Sequence, residues 1–327
     1  MGQLPIRYIR VADTTPITPR MARITFTGDD LADLHLDGPD QQVKLYFPRP
    51  GQRRPRLPDP DPDLWRWYAG FADIPAPVRP WTRSYTIRAH HPHGNLIDID
   101  FTLHEPAGPA TRWAASATPG DTLGMFGPSP VFARPLPIGT TDWMLLACDE
   151  SALPALGTIV EALPAGTRAH AFVEIPDRAE EQHLDTPADL TLHWLHRDDP
   201  PSAPGSRLLD AVRAATFPAG SVLAWLAGEA GTVRALRRHL VDDRGLPKQS
   251  IDFTGYWRRH LTQDDDPTDE DLAEARDRLA DAETTAATES SADVGATDGG
   301  TEAGARGDAE PEPIRIQEAR SPTPLVP

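Results

Sequence analysis

The segment from Arg83 to Arg88 places an arginine, a tyrosine and a threonine within four residues. In an extended strand, Arg83 and Tyr85 share one face and Thr86 lies on the other. An aromatic ring can cover an isoalloxazine, a hydroxyl or amide can bond its polar edge, and an arginine can neutralise a pyrophosphate. These residue types suit a flavin site. The same pattern also suits a barrel strand with a surface arginine and a packing tyrosine.

A second segment, from His104 to Trp113, leads from a turn into a predicted helix. Gly108 ends the extended part, and Pro109 suits the first turn of a helix that runs to about Ala117. Free N–H groups and the helix dipole make such an N-terminus favourable for phosphate. A plain strand-to-helix turn, with His104 as a structural histidine, is the alternative.

Two apolar strands in the second half of the chain each end in an acidic segment. Trp143–Cys148 leads into Asp149-Glu-Ser-Ala152, and Ser221–Ala227 leads into Gly228-Glu229. Because ligands bind at the carboxyl ends of the strands in an α/β sheet, we expect these ends to shape one pocket. No G-x-G-x-x-G motif is present, and the acidic residues also suit ordinary helix N-termini.

The elements that must position these segments divide the chain near residue 137. In the first part, Arg20–Thr27, Gln41–Phe47, Thr82–Ala89 and Leu96–His104 are rich in β-formers, which predicts a small antiparallel barrel. Residues 48–80 hold nine prolines in 33 residues and are predicted to form a long surface loop with an aromatic anchor.

In the second part, apolar strands alternate with helices, which predicts a parallel sheet covered on both faces. The predicted strands are Trp143–Cys148, Arg168–Ile175, Thr191–His196 and Ser221–Ala227, and the predicted helices are Ser151–Ala162, Ser206–Ala215 and Thr232–Asp242.

Charge and composition exclude several classes of protein. The net charge is −17, of which residues 263–327 contribute −13 with 18 acidic and 5 basic residues. Neither part has the basic stripe of a nucleic-acid-binding protein. Cys148 is the single cysteine, which excludes an internal disulfide and a cysteine-held metal site. The chain has no apolar stretch of bilayer length and no signal pattern, so we expect a cytoplasmic protein without membrane or nucleic-acid partners.

Six segments, read in order, resemble the siderophore-interacting proteins, which are FAD-containing ferric-siderophore reductases of the ferredoxin-reductase superfamily. The segments are RSYTIR (83–88), IDIDFTLHEPAGPATRWA (97–114), GDTLGMFGP (120–128), CDESALPAL (148–156), WLAGE (225–229) and GYWRRH (255–260). The resemblance covers residues 5 to 262. It implies an FAD-binding β-barrel domain (1–137) and an NAD(P)H-binding α/β domain (138–262). The acidic tail (263–327) lies outside the resemblance; its composition predicts that it is largely disordered, with residues 269–281 suited to one helix.

The resemblance also implies which residues bind the cofactors. Those expected to bind FAD are Arg83, Ser84, Tyr85, Thr86, His104, Gly108, Pro109, Ala110, Thr111 and Trp113. Those expected to shape the nicotinamide pocket for NADPH or NADH are Asp149, Glu150, Ser151, Ala152, Ala227, Gly228 and Glu229, with Tyr256 and Trp257 near the open face of the flavin. Arg197 is placed suitably for the 2′-phosphate of NADPH.

The flavin would carry the chemistry, so no catalytic side chain and no metal ligand is expected; His90, His91 and His93 are interpreted as an exposed turn. Many ferric siderophores are anionic, which makes Lys44, Arg134 and Arg258 the candidate substrate contacts. We expect a monomer, with ferredoxin as another candidate electron donor. Ser129, Pro130 and His260 depart from residues that many relatives carry at these positions.

Two other functions remain open from the sequence. One is a general flavin oxidoreductase that passes electrons to a protein or a quinone. The other is a protein that binds ferric siderophore without reducing it.

Overall fold

The computed structural model of the protein describes residues 6–128, 136–198 and 201–259. In these ranges two sheets form. The strands of the first sheet are β1 (Ile6–Thr18), β2 (Met21–Thr27), β3 (Gln42–Phe47), β4 (Trp81–Thr86), β5 (Ala89–His91), β6 (Leu96–Thr102) and β7 (Thr122–Phe126). Those of the second are β8 (Trp143–Asp149), β9 (Arg168–Ile175), β10 (Asp189–His196), β11 (Val222–Glu229) and β12 (Ile251–Trp257). The α-helices are α1 (Leu64–Ala72), α2 (Pro109–Ser116), α3 (Leu153–Ala162), α4 (Ser206–Ala214) and α5 (Ala230–Arg238).

The first sheet is antiparallel, with the strand order β4-β3-β7-β1-β2-β6-β5, and it curves into a half-barrel. Ile97, Ile99 and Phe101 of β6 are fully buried on its inner face, as the period-two pattern predicts. The outer face of β6 is also covered, because Arg23 pairs with Asp100 at 2.7 Å. The predicted barrel is therefore confirmed. Strand β1 was not predicted from the sequence.

Helix α1 corrects the prediction of an irregular loop over residues 48–80. The prolines of that stretch lie on either side of residues 64–72, and the helix itself contains none. Trp67 and Phe71 of this helix pack against Tyr46, with ring centroids 5.7 and 5.2 Å away. This apolar contact with the outside of the half-barrel accounts for the helix in a proline-rich region.

The second sheet is parallel, with the strand order β10-β9-β8-β11-β12. Helix α3 covers one face, where Leu156 packs among residues such as Leu146. Helices α4 and α5 cover the other face, where Leu236 packs among residues such as Leu145. The central strands β8 and β11 are buried along nearly their whole length, as predicted for strands covered on both faces, whereas the edge strand β10 alternates between exposed and partly buried residues. Strand β12 was not predicted.

The two sheets belong to one compact unit that spans residues 1–264. Met21 of β2 packs into the apolar cluster on the α3 side of the parallel sheet. Arg88 forms a two-point ion pair with Glu161 of α3, and the Thr18 hydroxyl donates to Glu180 at 2.5 Å. No helix in the ranges described has the length and apolar character needed to cross a bilayer. The predicted acidic helix (269–281) and tail lie outside the described residues.

Candidate functional site

Strand β4 places the residues of the first motif on two faces, as predicted. Tyr85 lies opposite Val43 and faces the aromatic interior, with its ring centroid 4.4 Å from that of Phe101. Trp113 of α2 lies 6.0 Å from the same Phe101 ring. The first and second motifs therefore meet around one aromatic cluster at the end of the half-barrel. Burial raises the pKa of Tyr85, so its phenol stays neutral.

The N-terminus of α2 is open. Gly108 is the N-cap residue, Pro109 follows it in the first turn, and no side chain caps the helix. A Cβ atom at Gly108 would meet nothing within 4 Å, whereas Ala110 and Thr111 are buried. Backbone N–H groups at this end can therefore bind an anion. His104 is exposed.

Lys44 lies on the outer face of β3, opposite Ser84 of β4. Gln42 lies opposite Thr86 on the same face. Burial lowers the pKa of Lys44 from its usual value. Among the residues that the structure describes, no carboxylate forms an ion pair with it within 4 Å. A desolvated ammonium of this kind is a favourable place for an anionic ligand.

Asp149 joins three strand ends at the carboxyl edge of the parallel sheet. Its Oδ1 accepts hydrogen bonds from the N–H and hydroxyl of Ser151, at 2.9 and 2.5 Å. Its Oδ2 accepts from the N–H of Glu229 and from Trp257 Nε1, both at 2.8 Å. Burial and the nearby charge of Glu150 raise the pKa of Asp149 to about 6, against the opposing effect of these donors.

The end of β11 is shaped by Gly228 and Glu229. Gly228 has φ of +137°, and a Cβ atom there would lie 2.5 Å from Asp149 Oδ2. The buried carboxylate of Glu229 accepts from the N–H and hydroxyl of Thr232 and so caps α5. The structure thus brings together the predicted residues of the carboxyl edge. Asp149 and Glu229 act there as internal hydrogen-bond acceptors, each at the N-terminus of the helix that follows its strand.

Arg197 is held by two glutamates. Its guanidinium contacts both carboxylate oxygens of Glu150, at 2.6 and 2.5 Å, and Glu174 at 3.4 Å. Glu174 is fully buried and accepts from the N–H groups of Gly205 and Leu208, at 2.6 and 2.9 Å. Arg197 therefore closes an acidic cluster at the start of α4, and its charge is already matched.

Tyr256 connects the two sheets, and its main partner was missed by sequence reasoning. Its hydroxyl donates to Asp40 Oδ1 at 2.6 Å and accepts from Gln42 Nε2 at 3.2 Å. Asp40 lies in a polar turn before β3, and nothing in its local sequence distinguishes it from a surface residue. Arg258 follows β12 and is partly exposed, and Arg134 lies outside the described residues.

Comparisons with known proteins agree with this architecture. Residues 10–132 match the family model described as the siderophore-interacting FAD-binding domain, and residues 141–260 match the model described as siderophore-interacting protein. The chain is 30% identical over 245 residues to the ferric vibriobactin reductase ViuB of Vibrio cholerae, which covers 74% of this chain and 86% of that protein.

Solved structures show the same fold. A siderophore utilization protein from T. fusca superimposes with a TM-score of 0.65 at 36% identity, over 80% of this chain and 96% of that one. The ferredoxin reductase of carbazole 1,9a-dioxygenase has a TM-score of 0.53 at 15% identity, over 77% of this chain and 69% of its own, which indicates a shared fold alone.

Proposed function

The chain belongs to the siderophore-interacting protein family, and from that membership we propose that it is a flavin-dependent reductase of ferric siderophores, with NAD(P)H as the electron donor. A relative that covers most of the chain is named a ferric vibriobactin reductase. The match over residues 10–132 is to an FAD-binding domain, which supports FAD as the cofactor.

The residues of the half-barrel fit FAD. The open N-terminus of α2, with free space at Gly108, suits the pyrophosphate, and Arg83 supplies a cation on the neighbouring strand. Tyr85 supplies a neutral aromatic ring beside them. Thr86 and Ser84 face the opposite side of β4 and supply hydroxyl groups for a polar ring edge. His104, Pro109, Ala110, Thr111 and Trp113 complete the proposed FAD site.

The carboxyl edge of the parallel sheet suits the donor. Asp149 fixes the backbone of Glu229 and the Trp257 ring, so the ends of β8, β11 and β12 form one rigid wall. Ligands of α/β sheets bind at this edge. We assign the nicotinamide to the wall formed by Ser151, Ala227, Gly228 and Trp257.

Bound FAD would accept two electrons as a hydride from NAD(P)H and donate them one at a time to iron. One NAD(P)H would thus reduce two Fe(III) to Fe(II) and yield NAD(P)⁺ and a proton. Fe(II) is held less tightly than Fe(III) by the hard oxygen ligands of a siderophore, so reduction releases iron. The side chains of this protein orient the donor and admit the ferric complex, and no side chain acts as nucleophile or metal ligand.

The substrate assignment depends on the environment of the Lys44 ammonium. Its ammonium is desolvated without an acidic partner in the described part of the chain, and it shares the outer face of β3 and β4 with Ser84 and Thr86. An anionic ferric complex bound there would satisfy the ammonium and lie beside the proposed flavin strand. Arg258 and Arg134 are the further proposed substrate contacts.

The test is Fe(II) release. FAD-loaded protein, NADH or NADPH, and a ferric siderophore are mixed anaerobically with a chromogenic Fe(II) chelator. Chelate formation that requires all three components supports the proposal. Flavin reduction without Fe(II) formation would contradict it and favour a general flavin oxidoreductase. Siderophore binding without FAD binding would instead favour a carrier.

A further inference from the structure

Asp40 occupies an unusual backbone position between the two sheets. Its φ is +55°, a left-handed conformation that aspartate tolerates better than most residues but still at a cost. Its N–H donates to Thr158 Oγ1 of α3 at 3.0 Å, and that hydroxyl donates to the Ala155 carbonyl at 2.7 Å. The turn before β3 is therefore attached to the first helix of the α/β half.

The Asp40 carboxylate binds two strands of the parallel sheet. Oδ1 accepts from the Tyr256 hydroxyl of β12 at 2.6 Å, and Oδ2 accepts from Trp225 Nε1 of β11 at 3.1 Å. Trp225 is buried, with 1% of its surface exposed. One residue of the half-barrel thus contacts three elements of the α/β half through three separate hydrogen bonds.

Tyr256 also contacts β3, the strand that pairs with the proposed flavin strand β4. Its hydroxyl accepts a hydrogen bond from Gln42 Nε2 of β3 at 3.2 Å, and Gln42 lies opposite Thr86 of β4. Thr86 is buried and belongs to the Arg83–Thr86 motif. Asp40, Tyr256 and Gln42 therefore form a continuous chain of hydrogen bonds from the parallel sheet to β3, next to Thr86 of the proposed flavin site.

We propose that Asp40 is a positioning residue for hydride transfer: by holding the Tyr256 hydroxyl against Gln42, the neighbour of Thr86 on β3, it sets the distance between the carboxyl edge of the parallel sheet and the flavin strand. This inference rests on the proposed function, because it concerns the approach of the nicotinamide to the flavin. The demand on geometry is strict, since a misplacement of about 1 Å can cost roughly a hundredfold in rate.

The ionisation of Asp40 should make the rate of flavin reduction depend on pH, which is a second test of the proposal. Burial raises the pKa of Asp40 to about 6, against the opposing effect of the Tyr256 and Trp225 hydrogen bonds. The titratable groups that face it are Tyr256, Asp252 of β12 and Cys148 of β8. A protonated carboxyl accepts a hydrogen bond from Tyr256 more weakly than a carboxylate does, so positioning weakens as the pH falls through about 6.

The test compares Asp40→Asn and Tyr256→Phe with Asp37→Asn, which makes the same change at an exposed position of the same turn. In rapid-mixing experiments with FAD-loaded protein and saturating NADH, we expect the first two variants each to lower the limiting rate of flavin reduction by about tenfold, and their combination to lower it no further. The dissociation constants of FAD and NADH should change by less than about threefold. Asp37→Asn should match the unsubstituted protein.

The pH profile and the apoprotein provide further readouts. The limiting rate of the unsubstituted protein should fall as the pH is lowered through about 6. The fall should be smaller in Asp40→Asn, in which Asp149 alone of the two carboxyls still titrates over this range. In urea unfolding of the apoprotein, Tyr256→Phe should shift the midpoint less in the Asp40→Asn background than in the original background, because the bond from Tyr256 to Asp40 is already weakened there and only the bond from Gln42 is newly lost.

Additive midpoint shifts in the apoprotein, or an unchanged rate and pH profile in Asp40→Asn, would overturn the proposal. If the unsubstituted protein shows no flavin reduction at all, the proposed function fails. The unfolding cycle then still decides whether Asp40 holds Tyr256.

Discussion

Arg197 and Glu150 form a two-point ion pair at the carboxyl edge of the parallel sheet, with N–O distances of 2.6 and 2.5 Å. Only 14% of the Arg197 side chain is exposed, and Glu174 contacts it from the other side. The sequence suggested this arginine as a partner for the 2′-phosphate of NADPH. In the structure, its charge is matched by Glu150 and Glu174.

We therefore expect Arg197 to give no advantage to NADPH, and NADH to serve at least as well. Glu150→Gln should free one side of the guanidinium and raise kcat/KM for NADPH relative to NADH by about tenfold, the size of one charge-assisted hydrogen bond. Glu181→Gln is the matched control, because Glu181 forms an ion pair with His196, the residue that precedes Arg197 in the chain. A strong preference for NADPH in the unsubstituted protein would contradict this account of Arg197.

Lys44 predicts a change in the affinity for substrate. Lys44→Gln removes the ammonium but keeps a side chain of similar length, and we expect KM for an anionic ferric siderophore to rise by about tenfold. Flavin reduction by NADH should be unaffected, because the donor binds at the parallel sheet. Steady-state Fe(II) release and single-turnover flavin reduction measure the two effects.

Lys248→Gln is the control for Lys44, since Lys248 is the other lysine of the chain and is exposed. An equal effect of the two substitutions on KM would show that general surface charge, and not the half-buried position of Lys44, attracts the substrate.

Gly228 predicts a loss of stability with a specific cause. Gly228→Ala adds a Cβ atom at φ of +137° and 2.5 Å from Asp149 Oδ2. We expect the free energy of unfolding to fall by roughly 3 kcal/mol, because backbone strain and the clash act together.

Gly166→Ala is the matched control for Gly228, because Gly166 also has a positive φ, of +82°, but open space around its Cβ position. It should cost about 1 kcal/mol. Urea unfolding compares the two, and equal losses would show that the contact with Asp149 adds nothing to the strain.

The sequence was sufficient to predict that the strand ends at the carboxyl edge lie together, but it was not sufficient to predict the contacts of Asp40. Asp149 and Gly228 each follow an apolar run, and parallel strands bring their ends to the same edge. Asp40 meets Tyr256 and Trp225 only after the half-barrel has docked on the parallel sheet. Those contacts span more than 180 residues of sequence, and no local pattern encodes them.

The errors in the fold also have physical causes. Helix α1 forms because its aromatic residues pack on the half-barrel, which outweighs the proline content of the flanking residues. Strand β12 was missed because its seven residues include a glycine and an aspartate, which are unfavourable in strands. It forms because it pairs with β11 and contacts α5.

Asp40 predicts how stability varies with pH. Its pKa is raised by burial from 3.8 to about 6, so between these values the folded protein binds more protons than the unfolded chain. The contribution of this group to stability is present below about pH 4 and is lost as the pH rises through about 6. The loss is on the order of 3 kcal/mol.

Because Asp40→Asn cannot ionise, its unfolding free energy relative to the original protein should rise by that amount between about pH 4 and pH 7. Urea unfolding of both proteins across this range measures the difference. A difference that stays constant with pH would contradict the raised pKa.

The most direct test of the account is a visible spectrum of the FAD-supplemented protein, recorded anaerobically during the addition of NADH and then of a ferric hydroxamate siderophore. We predict that protein-bound flavin bands bleach with NADH and return when the ferric complex is added. Bleaching without recovery, or the absence of protein-bound flavin, would contradict the proposal that this chain reduces ferric siderophores.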